Sequence, residues 1–238
     1  MKRDGLTELN VAAYSVGHFF NDLCAVMWFM YLAWYLTQVV ELSPEVTAAS
    51  GLAGQICDGL ATTIVGALSD KLNTPCGKRM PWFIFGTLLV FPSFMGIFIY
   101  PEFVVNGFTE HQKTIWYICL PGIFNIGWAS VQIAHMVVVN DLSASNRRRD
   151  KLVNNRNGFT YAANILILVS ALVLFEVLDS PVTQFRVLCL ISVVVGSCTS
   201  LFYIFSTKEN KLVQEAKDYD RAYKIALFGE VKEEVTKQ

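Results

Sequence analysis

Two aspartates interrupt long apolar stretches of this sequence, and their position gives them the clearest capacity for chemistry. Asp22 lies in GHFFND and Asp58 lies in GQICDGLATTIVG. A carboxylate in the middle of a bilayer costs about 2.5–3.5 kcal/mol on insertion scales, so the default interpretation of such a residue is functional. A carboxylate in such a place can take up a proton, hold a hard cation or bind a polar solute.

A histidine extends the first of these groups. His18 precedes Asp22 by four residues, which places both side chains on one face of a helix. We predict that the pair contributes to solute binding. The alternative is a polar patch that only joins helices, although an asparagine would serve that purpose without a titratable group.

Oxygen-bearing side chains also surround the second aspartate at helical spacing. Thr62 follows Asp58 by four residues and Gln55 precedes it by three, so the three share a face. We predict that Asp58 and Thr62 couple an ion, and these residues suit either sodium or a proton. Small residues nearby would allow another helix to approach closely. They are Gly51, Gly54, Gly59, Ala61 and Gly66.

Two later segments supply further candidates for the solute site. Trp128, Gln132 and His135 follow one another at spacings of four and three, and an aromatic residue beside hydrogen-bonding groups is common in small-molecule sites. The alternative is core packing with one buried histidine. Arg156 opens the fifth apolar run, where it suits either a substrate anion or a positively charged anchor at the membrane surface.

The composition indicates a polytopic membrane protein. Of the 238 residues, 53% are hydrophobic and 16% are charged, whereas soluble domains have about 25% charged residues. The charges fall in short clusters between long apolar runs. No basic patch of the kind that binds nucleic acid is evident, and the six cysteines fit no metal motif. We therefore expect no enzyme, no metal and no cofactor beyond a coupling ion.

The apolar runs predict an all-α membrane domain over residues 1–206, since a helical span needs roughly 20 mostly apolar residues. The six predicted spans are Val11–Val40, Val46–Ser69, Pro81–Tyr100, Thr114–Val139, Gly158–Leu178 and Val187–Ser206. Residues 207–238 are charged, with apolar residues three or four apart, which predicts a cytosolic linker helix. The alternative is an amphipathic segment on the membrane surface.

The basic residues predict the orientation of these spans. Seventeen of the nineteen lysines and arginines lie before the first span, between spans two and three, between spans four and five, or after the sixth. The remaining segments contain only Lys113 and Arg186. Because basic residues concentrate on the cytoplasmic side, both termini are predicted to be cytosolic.

The segment between the second and third spans resembles a known signature. Its pattern is Gly-x-x-Ser-Asp-Lys from Gly66, followed by Gly-Lys-Arg-x-Pro-Trp from Gly77, and it resembles the signature loop of the major facilitator superfamily. The Pro-Trp pair is similar to the glycoside–pentoside–hexuronide:cation symporter branch, which contains melibiose permease. The resemblance implies an amino-terminal bundle of two inverted three-helix repeats. The loop residues implied in conformational change are Gly66, Asp70, Gly77, Lys78 and Arg79.

The same resemblance assigns roles to individual residues. Asp22 falls on a sugar-binding aspartate of melibiose permease, and Arg156 matches a site arginine. Asp58 falls on the first of two cation-site aspartates, whereas Thr62 stands where the second is expected. That departure favours proton coupling, or weak coupling, over sodium. Gln132 replaces a sugar-binding aspartate, which implies a different substrate.

Three segments are also similar to an animal branch, the family of major facilitator superfamily domain-containing protein twelve. They are SVGHFFNDLCAVMWF, GQICDG and GWASVQIAH. This resemblance implies handling of cysteine or cystine in lysosomes and melanosomes, with the plasma membrane as the alternative location. It also implies twelve helices, of which this chain supplies six. A missing carboxy-terminal half, a second copy or a separate partner would then complete the transporter.

These observations predict one half of a symporter-like secondary transporter for a small polar solute. The polar residues of four spans are expected to face one central cavity; they are Asp22, Asp58, Thr62, Trp128, Gln132 and Arg156. A half-length binding or regulatory subunit, or a nonfunctional fragment without flux, is the alternative. An intramembrane aspartyl protease is a remote alternative, because its Gly-x-Gly-Asp element is absent.

Overall fold

The computed structural model describes residues 5–228, and the regular elements in that range are all helices. In chain order they are α1 (Glu8–Gly17), α2 (Phe19–Gln38), α3 (Pro44–Lys71), α4 (Met80–Phe98), α5 (Glu102–Val105), α6 (Glu110–Leu142), α7 (Asn146–Val177), α8 (Pro181–Ser206) and α9 (Glu209–Phe228). Serine or threonine side chains cap several of them, as at Ser43 before α3 and Thr109 before α6.

In the described part of the chain, six helical segments are long and apolar enough to cross a membrane: α1 with α2, then α3, α4, α6, α7 and α8. The predicted all-α membrane fold is therefore confirmed. The boundaries differ most in α7, which begins at Asn146 rather than Gly158. The arginine-rich residues before Gly158 are good helix formers, so the helix extends beyond its apolar part. The first span differs as well, because it is divided at His18.

The packing of the spans reveals two three-helix units. In the first unit α1 and α2 form the opening span, and they pack mainly on α7 and α8 of the second unit. In the second unit α6 is the opening span, and it packs mainly on α3 and α4 of the first. Each unit thus places its first span on the other unit's second and third. A chain that has crossed a membrane three times enters its next span from the opposite side, so the second unit is inverted relative to the first. The reciprocal packing of the two units therefore fits the predicted inverted repeats.

Glycines allow close contact between α4 of the first unit and α6 of the second. A Cβ atom on Gly86 would lie 2.5 Å from the backbone oxygen of Gly127, and a Cβ on Gly127 would lie 2.9 Å from the backbone oxygen of Gly86. Small residues are the usual means of close helix packing in membranes, where apolar side chains gain little by leaving lipid.

Gly86→Ala is expected to destabilise the bundle by about 1–3 kcal/mol, because the added methyl group meets backbone atoms that cannot rotate away. Thermal unfolding of the purified protein in detergent measures this effect. Gly59→Ala is the matched control, since a Cβ at that position meets nothing within 4 Å. Equal melting temperatures for the two variants would contradict the close α4–α6 contact.

The loop between α3 and α4 is held at its ends by polar contacts. The Arg79 guanidinium donates hydrogen bonds to Ser69 and Asp70, and it forms an ion pair with Asp70. Gly77 has a φ of 121°, a conformation that favours glycine. Gly66 lies within α3 rather than in the loop. These contacts join the end of α3 to the start of α4.

The start of α9 caps this loop. Glu209 is only 3% exposed, and its carboxylate accepts hydrogen bonds from the backbone N–H groups of Lys78, Arg79 and Met80 at 2.7–3.1 Å. Leu212 is also buried. The predicted linker over residues 207–238 therefore packs on the bundle at its beginning, while residues 229–238 lie outside the described range. A carboxylate at a helix start satisfies otherwise unpaired donors and favours the helix dipole.

Glu209→Ala is expected to lower the free energy of unfolding by about 1–3 kcal/mol, because it leaves buried N–H groups without an acceptor. Hydrogen exchange at the start of α4 and thermal unfolding both report this loss. Asp218→Ala removes an exposed carboxylate from the same helix and is the control. If the two variants exchange equally at Met80, the capping role is wrong.

Candidate functional site

The first span breaks at His18, and contacts from α6 stabilise the break. The Nε2–H group of His135 donates to the backbone oxygen of Tyr14 at 2.9 Å, and the Tyr14 hydroxyl donates to the backbone oxygen of His135 at 3.1 Å. The two rings stack with centroids 4.2 Å apart. A Cβ on Gly17 would lie 2.8 Å from His135 Nε2, so a glycine is required there. The break thus positions His18 at the start of α2.

Four polar residues meet between this break and α7, and we call them the Asp22 group. His18 Nδ1 lies 2.9 Å from Asp22 Oδ1, and the Thr160 hydroxyl donates to Asp22 Oδ2 at 3.1 Å. Arg156 Nη2 lies 3.2 Å from His18 Nδ1. Asp22 is 7% exposed, whereas Arg156 is half-buried. The group therefore offers a carboxylate, an imidazole and a guanidinium within a few ångströms of one another.

A second group surrounds Asp58 on α3. A cavity of about 60 Å³ lies between α2, α3 and α6, and its lining includes Gln55, Asp58, Asn125 and Trp128. Thr62 lies one helical turn away from Asp58 on α3. The Asp58 Oδ1 atom is buried and has no hydrogen-bond partner among the described residues. The cavity has room for at least one water molecule, and the unpaired oxygen is a potential ligand for a small cation or a proton.

Trp128 connects the two groups. Its indole N–H donates to the backbone oxygen of Asn21 at 3.3 Å, and the Asn21 side chain donates to the Trp128 backbone oxygen at 2.9 Å. Asn21 precedes Asp22, while the Trp128 side chain lines the Asp58 cavity. The predicted residues other than Gln132 therefore occupy two groups that both adjoin α2.

The expected single cavity stays a prediction. Within residues 5–228, no hydrogen bond or ion pair joins Asp22 to Asp58, and Gln132 is half-buried without a hydrogen-bond partner. The same range contains no cluster of three or more histidine, cysteine, aspartate or glutamate side chains suited to a metal.

Three residues of this region were not among the predicted site residues. Thr160 follows Arg156 by one helical turn, so the spacing gave a signal that the two share a face. Asn21 and Tyr14 take part through contacts with α6 that no local pattern reveals. Contacts between helices more than 100 residues apart in sequence depend on the packing of the bundle.

The helices α3 and α7 leave most of their surface uncovered. On α3 the exposed apolar residues recur every fourth position, at Leu52, Ile56, Leu60, Ile64 and Leu68. A Cβ at Gly51, Gly59 or Gly66 would meet nothing within 4 Å. Of the α3 glycines predicted to permit close helix packing, only Gly54 has close neighbours, which are the side chains of Trp28 and Asn125. The remaining α3 surface is open to lipid or to another helix.

Comparison with known proteins agrees with this architecture. Residues 13–237 match the model of the family described as MFS/sugar transport protein. The chain is 35% identical to major facilitator superfamily domain-containing protein 12 of Equus caballus over 219 residues, and 34% identical to that of Homo sapiens over 221 residues. Each alignment covers 84% of this chain and 46% of the relative.

A bacterial relative is more distant. The putative glycoside/cation symporter YagG of Escherichia coli is 24% identical over 213 residues, which is 86% of this chain and 44% of that protein. The chain thus spans less than half the length of these curated relatives. The family match extends over nearly the whole sequence, and it agrees with six spans in two three-helix units. The chain therefore belongs to the MFS/sugar transport protein family.

Proposed function

We propose that this chain is the solute-binding and ion-binding half of a secondary active transporter for a small polar solute. The observation that carries the proposal is the Asp22 group, in which an acidic and a basic side chain share one partly buried site with His18. Charged groups within membrane-spanning helices commonly mark a substrate or ion pathway.

The charges of the Asp22 group favour a solute that carries both an anion and a cation. Arg156 can pair with a carboxylate in a fork geometry, and Asp22 can accept from an ammonium group. An amino acid such as cysteine, or its disulfide cystine, has both groups, which agrees with the resemblance to the animal branch. A sugar would use Asp22 and Thr160 as hydrogen-bond partners and would leave the Arg156 charge unmatched. We therefore place cysteine or cystine before a sugar.

The Asp58 group is the proposed coupling site. Asp58 lines a small cavity, Thr62 lies one helical turn away, and one Asp58 carboxylate oxygen has no hydrogen-bond partner within residues 5–228. A single carboxylate without a second acidic partner suits a proton better than sodium, since sodium sites usually need several oxygen ligands. Trp128 connects this group to the Asp22 group, and it provides a route by which occupancy of one affects the other.

The proposed setting is a lysosomal or melanosomal membrane, or the plasma membrane, with both termini in the cytosol. The exposed surfaces of α3 and α7 are the proposed contact with a second half, supplied by further sequence, a second copy or a partner. In that arrangement the two halves rock about a site near the midplane.

Uptake into proteoliposomes tests the proposal. Labelled cysteine, cystine and melibiose would be offered to vesicles that contain the purified chain, across imposed proton and sodium gradients. We expect accumulation of cysteine or cystine above that of empty vesicles when a proton gradient is present. Vesicles that neither bind nor accumulate any of these solutes would contradict the proposal.

A binding or regulatory half without flux is the second candidate. It is favoured by the length of the chain, which spans less than half of its curated relatives. Saturable solute binding without uptake in the same vesicles would support this candidate over transport by the chain alone.

A further inference from the structure

A groove opens on the outside of the bundle between α1, α7 and α8, at the end where α1 and α7 begin and α8 finishes. Its volume is about 590 Å³. The Asn10 side chain on α1 donates to the backbone oxygen of Ser206 at 3.0 Å, so the start of α1 lies beside the end of α8. The residues that line this groove belong neither to the Asp22 group nor to the Asp58 cavity. The proposed function therefore gives it no role.

The lining of the groove changes from charged to apolar along the helices. On α7, Lys151, Asn155 and Phe159 line it at intervals of four residues, so they follow one face of that helix. On α1 the lining runs in the same order, from Glu8 to Val11. A phospholipid has the same sequence of parts, with a charged headgroup followed by an acyl chain.

The deeper part of the groove suits hydrocarbon rather than a polar solute. The two hydroxyl groups in its lining belong to Ser15 and Thr199, and each donates to a backbone oxygen of its own helix, at 2.7 Å and 2.9 Å. Neither hydroxyl proton is then left for a ligand. Phe159 and Phe202 line the same region and are 37% and 39% exposed, so both rings present apolar surface to an occupant.

The charged end of the groove carries one cation and one anion. Lys151 Nζ lies 3.1 Å from Glu8 Oε2, and the two side chains are 52% and 81% exposed. An exposed ion pair of this kind is weak, so it can open for a ligand that supplies both opposite charges. A lipid phosphate accepts from the Lys151 ammonium, and a primary ammonium donates to the Glu8 carboxylate. A choline headgroup has no N–H group to donate, and an anionic glycerol headgroup would leave Glu8 without a cation.

The groove lies on the opposite side of α7 from the surface proposed for a second half. The most exposed part of α7 includes Tyr161 and Leu172, at 71% and 73%. Successive helical residues are separated by about 100°, so Phe159 lies roughly 160° around the helix from Tyr161. A second half placed over Tyr161 and Leu172 would therefore leave the groove open to lipid.

We propose that this groove binds one molecule of phosphatidylethanolamine. The phosphate lies on Lys151, the ammonium group lies on Glu8, and one acyl chain runs over Phe159 and Phe202. The lipid joins the start of α7 to α1, the helix that precedes the Asp22 group. This inference goes beyond the proposed function and does not depend on which solute the chain binds.

Native mass spectrometry of the purified, delipidated chain in detergent tests the proposal. Phosphatidylethanolamine, phosphatidylcholine and phosphatidylglycerol with identical acyl chains would be titrated separately. We expect one tightly retained phosphatidylethanolamine, bound about two- to fivefold more tightly than the other two lipids, which is the range for an exposed charged pair. Equal binding of the three lipids, or tighter binding of phosphatidylglycerol, would overturn the proposal.

Two shape-preserving variants test the headgroup contacts. Glu8→Gln is expected to make phosphatidylethanolamine bind no more tightly than phosphatidylcholine, whereas Lys151→Gln is expected to weaken the binding of both. Glu110→Gln is the matched control, because Glu110 forms an exposed ion pair with Lys113, at 2.9 Å, that lies outside the groove. If Glu8→Gln keeps the preference for phosphatidylethanolamine, the proposed ammonium contact is wrong.

A bulky residue in the groove tests the location of the lipid. Ala12 is exposed and lines the groove, so Ala12→Trp is expected to fill the groove and to remove the tightly retained lipid. Leu172→Trp places the same side chain on the uncovered surface of α7 and is expected to keep it. Thermal unfolding shows whether each variant is folded, and the Glu8→Gln result decides if Ala12→Trp is not. Unchanged lipid binding by a folded Ala12→Trp variant would place the lipid elsewhere and overturn the proposal.

Discussion

Asp58→Asn is expected to reduce gradient-driven solute accumulation to the level of vesicles without protein. Asparagine keeps the size and one oxygen of aspartate, but it neither takes up a proton nor carries a negative charge. Asp58 lines the small cavity that Trp128 also lines, and one Asp58 carboxylate oxygen has no hydrogen-bond partner in the described range. The measurement is uptake of labelled cysteine into proteoliposomes across an imposed proton gradient.

The control for this variant is Asp179→Asn, which changes an exposed aspartate between α7 and α8. Both variants are expected to insert into the membrane as the unmodified protein does. Undiminished accumulation by Asp58→Asn would remove Asp58 from the coupling mechanism and leave the Asp22 group as the alternative.

Arg156→Gln is expected to weaken cysteine binding by about 10- to 100-fold. A hydrogen bond to a charged group contributes about 1.5–3 kcal/mol, and each 1.4 kcal/mol corresponds to a factor of ten. Binding of cysteamine is expected to change little, because it has no carboxylate to pair with Arg156. Equilibrium binding to the purified chain in nanodiscs measures both affinities.

Arg147→Gln distinguishes a binding role from that of a membrane anchor. Arg147 lies in the first turn of α7 and is exposed, whereas Arg156 contacts His18. If Arg156 only anchors α7 at the membrane surface, both variants will bind cysteine as the unmodified chain does. A selective loss in Arg156→Gln would establish the contact with the solute.

The architecture was predictable because lipid leaves the backbone few alternatives. A membrane-spanning segment must satisfy its own hydrogen bonds, so apolar length alone indicates a helix. The helix α7 begins before the predicted span because its charged first turns are helical without being apolar. The break at His18 had no local signal, because it is stabilised by His135 and Tyr14 rather than by a proline.

The site was predictable only in part. The contact between His18 and Asp22 follows from their spacing of four residues, which survives the helix break because the Asp22 N–H donates to the His18 backbone oxygen. The contacts of Asp22 with Thr160 and of His18 with Arg156 each join residues 138 positions apart in sequence. Such contacts depend on how α7 packs against the first span, which periodicity within one helix does not determine.

The position of α9 illustrates the same limit. Its charge and spacing predicted a linker helix, yet they gave no sign that Glu209 would be buried against the loop before α4. The need for a buried carboxylate arises at α4, because the first backbone N–H groups of that helix need a hydrogen-bond acceptor. The residue that caps a helix can be predicted from sequence only when it lies next to the start of that helix in the chain.

The central claim is that the Asp22 group binds the solute, and saturation binding of labelled cysteine to the purified chain tests it most directly. The account predicts saturable binding by the unmodified chain, and loss of that binding when Asp22→Asn and Arg156→Gln are combined. Saturable binding that is unchanged in the combined variant would contradict the claim and place the solute elsewhere in the bundle.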